Sequence, residues 1–247
     1  MKASNFEFRF RYAIHLVIYA ICFVAPWNPA RMQGGGRSLW SAASLQLART
    51  GIVGFGAASA SIVIAGILAS FVGAGLRTWG GAYLVLGVAE DSRMHGAALV
   101  ADGPYRHMRN PLYVGTWLHT LGLALVMSPA GGIAAIVLIG IFQLRLIGAE
   151  EAFLSAKLGA AYAEYCSRVP RLFPALRAQY AASGASPRWA SAVLNESYFW
   201  LFAISFSVLA WRYDRLLLEK AVLVSLGCSM ILRAVFPSTQ TGRAQQA

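Results

Sequence analysis

The sequence predicts an all-α fold: a polytopic integral membrane helix bundle of about six transmembrane helices, with a short cytoplasmic helical motif between the fourth and fifth. Three observations predict it. Of 247 residues, 57% are hydrophobic and 13% charged, whereas soluble domains hold roughly 45–50% and 25%. Residues 51–76 carry no charged side chain, a longer run than the roughly 20 residues that cross about 30 Å of hydrocarbon as a helix. The net charge of +11 is concentrated at the edges of the apolar runs, as juxtamembrane cations are.

Taken in order, residues 12–27 form the first expected helix, apolar apart from His15 and ending at Pro26-Trp27-Asn28-Pro29, where prolines and an interfacial tryptophan suit a membrane edge. A cleaved signal peptide is the rival reading, because residues 1–11 are basic and an apolar core follows. The aromatic-rich core and Pro26 beside any cleavage point after Ala25 oppose it. Residues 51–76 give the second helix. Residues 112–127 and 133–147 are two short apolar runs joined by Ser128-Pro129-Ala130-Gly131-Gly132, punctuation that turns one helix back on another. Residues 197–211 and 221–232 supply the last two, short enough that tilt or flanking residues must complete them. The chain reads as one integral membrane domain, 1–247, in which 77–174 is the catalytic core and 191–236 an additional C-terminal hairpin.

With the N-terminus in the cytoplasm, inside segments hold Lys2, Arg9, Arg11, Arg77, Arg93, Arg106, Arg109, Arg145, Lys157, Arg168, Arg171, Arg177, Arg188 and Arg243, and outside loops hold Arg31, Arg37, Arg49, Arg212 and Arg215. That asymmetry satisfies the positive-inside bias. Anionic lipid beside these arginines accounts for the net charge, and no nucleic-acid-binding module is visible, so nucleic acid is not an expected partner. Alanine and arginine far outweigh lysine, which points to a GC-rich bacterial genome and hence to the bacterial inner membrane. Oligomeric state is not legible.

Cys22, Cys166 and Cys228 lack metal or disulfide spacing. His15 and His119, on apolar helices, are expected to be packed or hydrogen-bonded to neighbours. Gly54-Phe55-Gly56 and Gly73-Ala74-Gly75 lie in an expected apolar helix and follow no strand, so they read as helix-packing positions and not as dinucleotide loops.

Two polar stretches carry the chemistry. The first is Gly103-Pro104-Tyr105-Arg106-His107-Met108-Arg109-Asn110-Pro111-Leu112-Tyr113-Val114-Gly115. Pro111 suits the first turn of a helix, so Arg106, His107, Arg109 and Asn110 approach a helix start, where free amides and guanidinium groups suit a carboxylate. The second is Glu150-Glu151, read as opening an amphipathic stretch with Phe153, Leu154, Leu158, Tyr162 and Tyr165 at helical intervals, closed by Val169-Pro170-Arg171-Leu172-Phe173-Pro174. Adjacent glutamates point about 100° apart, so one is expected to face a buried site and the other to cap or pair at the surface. Upstream, Arg77, Trp79 and Tyr83 suit either membrane anchoring or ligand contact, and Glu90, Asp91, Arg93 and His95 fill the approach to the first stretch.

The ordered set Gly-Pro-Tyr-Arg, Arg-Asn-Pro-Leu-Tyr-Val-Gly, Glu-Glu-x-x-Leu, a tyrosine pair and Val-Pro-Arg-Leu-x-Pro, spanning residues 77–174, resembles the membrane methyltransferases grouped around isoprenylcysteine carboxyl methyltransferase and the phospholipid methyltransferases. The resemblance implies a helical membrane enzyme that takes S-adenosylmethionine from the cytosol and a lipophilic or prenylated acceptor from the bilayer. It assigns Arg109, Glu150 and Glu151 as candidate catalytic residues. Tyr105, Asn110, Pro111, Tyr113, Glu150, Tyr162, Tyr165 and Arg171 are then candidate cofactor contacts, and no metal is called for. Many relatives carry histidine where Asn110 stands, and an amide does not titrate.

Residue chemistry is compatible with that implication. Methyl transfer from a sulfonium mainly requires alignment and exclusion of water. A carboxylate acceptor wants an arginine such as Arg109 to orient it, which favours carboxyl O-methylation. An amine acceptor would need a base such as Glu150 or Glu151, so phospholipid or small-molecule N- or S-methylation stays open. A non-catalytic membrane scaffold is the contrasting reading, and a membrane reductase taking a nicotinamide cofactor a more distant one.

Overall fold

The computed structural model describes residues 2–25, 37–84 and 99–236. The Pro26 to Pro29 membrane edge, Arg31, the Glu90 to His95 segment and Arg243 lie outside the described residues. Among the described residues the secondary structure is helical throughout: α1 (Asn5–Arg9), α2 (Arg11–Val24), α3 (Leu39–Arg49), α4 (Phe55–Tyr83), a 3-10 turn (Gly103–Arg106), α5 (Pro111–Ala124), α6 (Pro129–Leu158), α7 (Ala160–Arg168), α8 (Trp189–Asn195), α9 (Ser197–Leu209), a second 3-10 turn (Ala210–Arg212) and α10 (Arg215–Val235).

Two helices, α4 of 29 residues and α6 of 30, are long and apolar enough to cross a membrane, and a third span results if α8 and α9, bent by 65° at Glu196, count as one. At 1.5 Å per residue each long helix runs roughly 45 Å. The other expected spans do form helices, but α2 and α5 have 14 residues each, and α10 opens on Arg215, Glu219 and Lys220. On α4, Ile64, Leu68 and Val72 recur every four residues and stay exposed, giving one apolar outer stripe.

Three sequence expectations change. The run at 133–147 does not stop before the glutamates: α6 continues through Gly148, Ala149, Glu150 and Glu151 to Leu158. No proline interrupts it, so the acids sit within a helix and not at its start, and neither is a dipole partner of free amides. Its true start is sharper than the five-residue turn implied. Ser128 caps α6 by accepting from Gly131 N at 3.1 Å, with Pro129 in the first turn. Gly54 precedes α4 as its N-cap, and neither it nor Gly56 has a neighbour against its α-carbon, so those two are not packing glycines.

Backbone proximity sets the topology. Ala3 N donates to Arg145 O at 2.9 Å, while Ser128 Oγ donates to Ala25 O at 2.5 Å, so α2 runs antiparallel to α6. On α4, Gly73 lies against Gly115, and Gly66 against Leu125 and Phe206, so α5 and α9 both run antiparallel to α4. One end of the bundle therefore gathers the start of α2, the ends of α4 and α6, the start of α5 and the α8–α9 bend. The opposite end is closed by an apolar core that includes Trp40, Leu123, Met127, Phe202 and Phe206. There Trp40, from the unanticipated helix α3, donates its Nε1 hydrogen to Ser59 Oγ at 3.0 Å.

A glycine pair makes the α4–α5 approach possible. A Cβ on Gly115 would stand 2.7 Å from Gly73 O, and one on Gly73 2.6 Å from Gly115 O. Small residues at such crossings replace the hydrophobic driving force that lipid abolishes. Gly115→Val is accordingly expected to lower stability by about 1–3 kcal/mol or more through overpacking, measured as the melting temperature in detergent. Gly75→Ala, at a position open on that side, should leave it within experimental error.

Helix α1 is tied to α6 by charge. Glu7 closes a capping box with Ser4 and takes a two-pronged contact from Arg145, with Nε–Oε1 at 3.0 Å and Nη2–Oε2 at 2.8 Å. The Arg145 hydrogen bond, aided by the Ser4 amide, draws the Glu7 carboxyl from 4.5 down to about 2. A carboxyl whose pKa falls on folding stabilises above its unfolded value and loses that contribution as pH drops through the folded one. The melting temperature of wild type should thus exceed that of Glu7→Gln above about pH 4.5, and the gap should close as pH falls toward 2.

Candidate functional site

A cavity of about 430 Å³ opens at the polar end of the bundle, within the size range of small-molecule sites. Its floor comes from the Gly103 to Tyr113 segment. Gly103 adopts φ +56°, and any Cβ there would collide with the Tyr83 ring, so only glycine makes this turn. The following 3-10 turn buries Tyr105, and Pro111 begins α5.

Arg109 is the centre of the polar wall. Its Nη2 lies 3.4 Å from Glu151 Oε1, and Arg171 Nη2 lies 2.7 Å from Glu151 Oε2. Arg109 Nη1 also donates to Cys166 O at 3.3 Å. The 3.4 Å contact is an ion pair without hydrogen-bond geometry, and both Arg109 Nε and Glu151 Oε1 are buried with no hydrogen-bond partner. Glu150, one residue earlier and about 100° around α6, accepts from the Tyr113 hydroxyl at 3.0 Å. Both glutamates line the cavity, which departs from the expectation that one would turn to the surface. A two-residue face of α6 is embraced on one side by α5 and on the other by the segment after α7.

Tyr105, Tyr162 and Tyr165 line the same space, and Tyr165 donates its hydroxyl hydrogen to Tyr105 O at 2.7 Å. Burial, reinforced by Glu150 and Tyr165, pushes the Tyr105 hydroxyl pKa well above the usual range. Burial does the same to Tyr162, with Cys166 and Glu151 adding to it, and to Tyr165 against the opposing pull of Arg109. All three are therefore neutral phenols that donate hydrogen bonds and do not serve as bases.

The chain after α7 is strapped onto the site. Arg109 N donates to Pro170 O at 2.9 Å, and Ala175 N to His107 O at 2.9 Å. Asn110 Nδ2 donates to Arg171 O at 3.1 Å, and Arg106 Nε to Tyr180 O at 2.8 Å. Farther along, Asp102 accepts from Ser183 and Ala185 amides and from the Ser183 hydroxyl. Burial would raise the Asp102 pKa, but these donors outweigh it and hold the carboxyl below its ordinary value.

Of the sequence-derived candidates, Tyr105, Arg109, Asn110, Pro111, Tyr113, Glu150, Glu151, Tyr162 and Tyr165 all line the cavity. Arg171 does not; it reaches the site through Glu151. Arg106 and His107 turn toward the strap, the latter through its ring Nδ1 and Ala175 O at 2.8 Å, and so do not join a carboxylate site. Of Arg77, Trp79 and Tyr83, only Arg77 reaches the cavity.

The sequence left Arg77 open between membrane anchoring and ligand contact, and several other lining groups escaped it. Arg77 forms a bidentate pair with Glu196, Nε–Oε2 at 2.5 Å and Nη2–Oε1 at 2.9 Å, donates to Thr116 Oγ1 at 2.6 Å, and lies over the Phe199 ring at 4.2 Å. This joins α4 and α5 to the additional hairpin, whose Asn195, Tyr198, Phe199 and Arg233 also line the cavity. Phe8, Arg11, Tyr12, His15 and Tyr19 line it from the N-terminal side. Their spacing of three and four is the legible signal, a polar and aromatic stripe on an otherwise apolar helix. His15 is satisfied, its Nδ1 2.7 Å from Arg11 O. His119 and Gln143 line the deeper part, and neither has sequence neighbours that mark it.

Residues 61–161 match the family model described as phospholipid methyltransferase. Among curated proteins, the chain is 35% identical over 77 residues to Protein-S-isoprenylcysteine O-methyltransferase B of Arabidopsis thaliana, a stretch covering 31% of this chain and 39% of that protein's length. No solved structure matches the chain. The stretch that is similar to the phospholipid methyltransferase model, residues 61–161, holds Arg109, Tyr113, Glu150 and Glu151, all of which line the cavity.

Proposed function

We propose that the protein is an S-adenosylmethionine-dependent methyltransferase of a lipophilic acceptor, with carboxyl O-methylation of an isoprenylcysteine-like or other lipophilic acid as its reaction. One observation carries this reading: Arg109, Glu150 and Glu151, from separate stretches, face one cavity whose walls continue into apolar helices. The cofactor fits the groups present. Buried Arg109 Nε and Glu151 Oε1 have no hydrogen-bond partner, so a donor stands ready for a carboxylate and an acceptor for an ammonium. When bound, S-adenosylmethionine supplies an electrophilic methyl group on a sulfonium.

The remaining work falls to the chain. Glu151 is held between Arg109 and Arg171, which fixes the guanidinium of Arg109 toward the cavity. A carboxylate acceptor is ionised near neutral pH, so Arg109 need only orient it, and no base is required. The neutral phenols donate hydrogen bonds, and the strap over residues 102–110 keeps water out of the polar wall. N- or S-methylation of a phospholipid or small molecule is the second reading. It is favoured by Glu150, whose carboxylate on the cavity can take a proton from an amine.

The same reading places the site at the cytoplasmic face, in the bacterial inner membrane, with six helices crossing. Arg9, Arg11, Arg106, Arg145, Arg168 and Arg171 cluster at the site's end of the bundle, which the positive-inside bias assigns to the cytoplasm. It also makes residues 77–174 the catalytic core and 191–236 a wall of the site.

Calorimetry on the full chain in detergent is expected to give micromolar affinity for S-adenosylhomocysteine, weakened at least about tenfold, or about 1.4 kcal/mol, by Arg109→Ala or Glu150→Gln. Absence of saturable binding would leave a scaffold role. With labelled cofactor and prenylcysteine or fatty acids, base-labile methyl esters are expected, and a base-stable product would move the assignment to nitrogen or sulfur. Removing one partner of a buried ion pair strands the other. Arg77→Met and Glu196→Gln should therefore each lower stability by about 3 kcal/mol, and the double replacement by less than their sum.

A further inference from the structure

Deep in the cavity, past the charged wall, stand two buried polar side chains that nothing in the proposed reaction uses. His119 is 1% exposed and Gln143 4%, and both line the cavity. Neither His119 Nδ1 nor Nε2 has a hydrogen-bond partner, nor does Gln143 Nε2. The imidazole is ringed by Tyr198, Phe199 and Phe202, with centroids 5.2, 4.6 and 4.8 Å away. None of these contacts satisfies a ring nitrogen. Unpaired polar groups in such surroundings cost stability, and more than nine in ten buried ones in folded proteins are paired. Two of them on one cavity, from α5 and α6, form a pole that lacks its partner.

Its position follows from helix geometry. Gln143, Leu146 and Glu150 all line the cavity at spacings of three and four on α6. Seven residues make nearly two turns, so Gln143 shares the face of Glu150 about 10 Å deeper. Leu146 and Phe199 lie on the wall between. The cavity thus runs from a charged mouth past Leu146, Phe199 and the guanidinium of Arg77, which Glu196 already pairs, to a neutral polar end. A plain hydrocarbon chain seated there would leave His119 and Gln143 unsatisfied.

We infer that His119 and Gln143 form a second recognition subsite for a neutral oxygen function, a hydroxyl or a carbonyl, carried by the acceptor about 10 Å from the group at the charged mouth. The Gln143 amide donates to that oxygen. The imidazole, with one donor and one acceptor nitrogen, either donates to a carbonyl or accepts from a hydroxyl. Among lipophilic acids the subsite then favours an oxygenated apolar molecule over an unfunctionalised prenyl or acyl chain. This rests on the methyltransferase reading for the role of the mouth, but the subsite is read by binding alone.

The test uses the full chain in detergent with two probes, ω-hydroxydecanoate and decanoate, which differ in one terminal hydroxyl. Affinities are measured by calorimetry and corrected for each probe's partition into the micelle. Wild type should prefer the hydroxylated probe about tenfold or more, since sites built to hydrogen-bond a hydroxyl reject the analogue lacking it. His119→Phe and Gln143→Leu should erase the preference while S-adenosylhomocysteine affinity stays unchanged. Because His119→Phe removes an unpaired imidazole among aromatic rings, its ligand-free melting temperature should equal or exceed that of wild type. Equal affinity of wild type for the two probes, or a preference that survives both substitutions, would overturn the inference. Failure of S-adenosylhomocysteine to bind wild type would instead count against the methyltransferase reading, with the hydroxyl preference still reporting on the subsite.

Discussion

The arrangement of the polar end depends on one carboxylate shared by two guanidinium groups. Glu151 meets Arg109 at 3.4 Å and Arg171 at 2.7 Å, and those three residues come from α6, the approach to α5 and the strap after α7. Arg109 and Glu151 are largely withdrawn from water and Arg171 is partly exposed, and charges so withdrawn are tolerated only when paired. Removing Arg109 or Glu151 would weaken the pairing of the other, so the cluster favours the meeting of three chain segments. Once they do, Asn110 and Arg109 N bind the strap's backbone, and the neighbouring Glu150 is left to face Tyr113 and the cavity. The shape of the site is a consequence of satisfying one acid.

Close helix packing carries this constraint into the membrane-length part of the bundle. The Gly73–Gly115 contact draws α5 against α4, which brings Arg77 within reach of Thr116 and of Glu196 at the α8–α9 bend. The bidentate pair then holds the additional hairpin as a wall of the cavity. Apolar core residues at the opposite end supply stability without function, whereas His119 and Gln143 reverse the exchange. Each unpaired polar group costs about 1–3 kcal/mol when buried, a local inconsistency of the kind that marks sites shaped for a ligand.

Much of the site was legible in linear order. Arg-Asn-Pro-Leu-Tyr and Glu-Glu are conspicuous because ionisable residues beside apolar runs are costly, and nine of the ten candidates drawn from those stretches line the cavity. Arg171, grouped with the others by its sequence neighbours, stands outside the cavity lining and pairs with Glu151, which only the tertiary structure reveals. Continuity of α6 was also missed. Two adjacent acids look like a helix start by composition, but nothing in Gly148-Ala149 breaks a helix that tertiary packing supports. Glu196 and Gln143 were invisible for a different reason: single polar residues in apolar runs have no local partner that declares a role.

By itself the sequence determined the helical class, the charge asymmetry and the two stretches that carry reactive groups, because periodicity, hydrophobic length and the cost of buried charge are properties of local composition. Only the tertiary structure decided which groups share a cavity, that both glutamates face it, that the hairpin closes it and that two polar side chains at its depth await a partner. The reason is physical. Pairing of charges and satisfaction of hydrogen bonds are contacts between distant segments, 138 residues apart for Glu7 and Arg145, and no local pattern records which distant group a buried donor will meet.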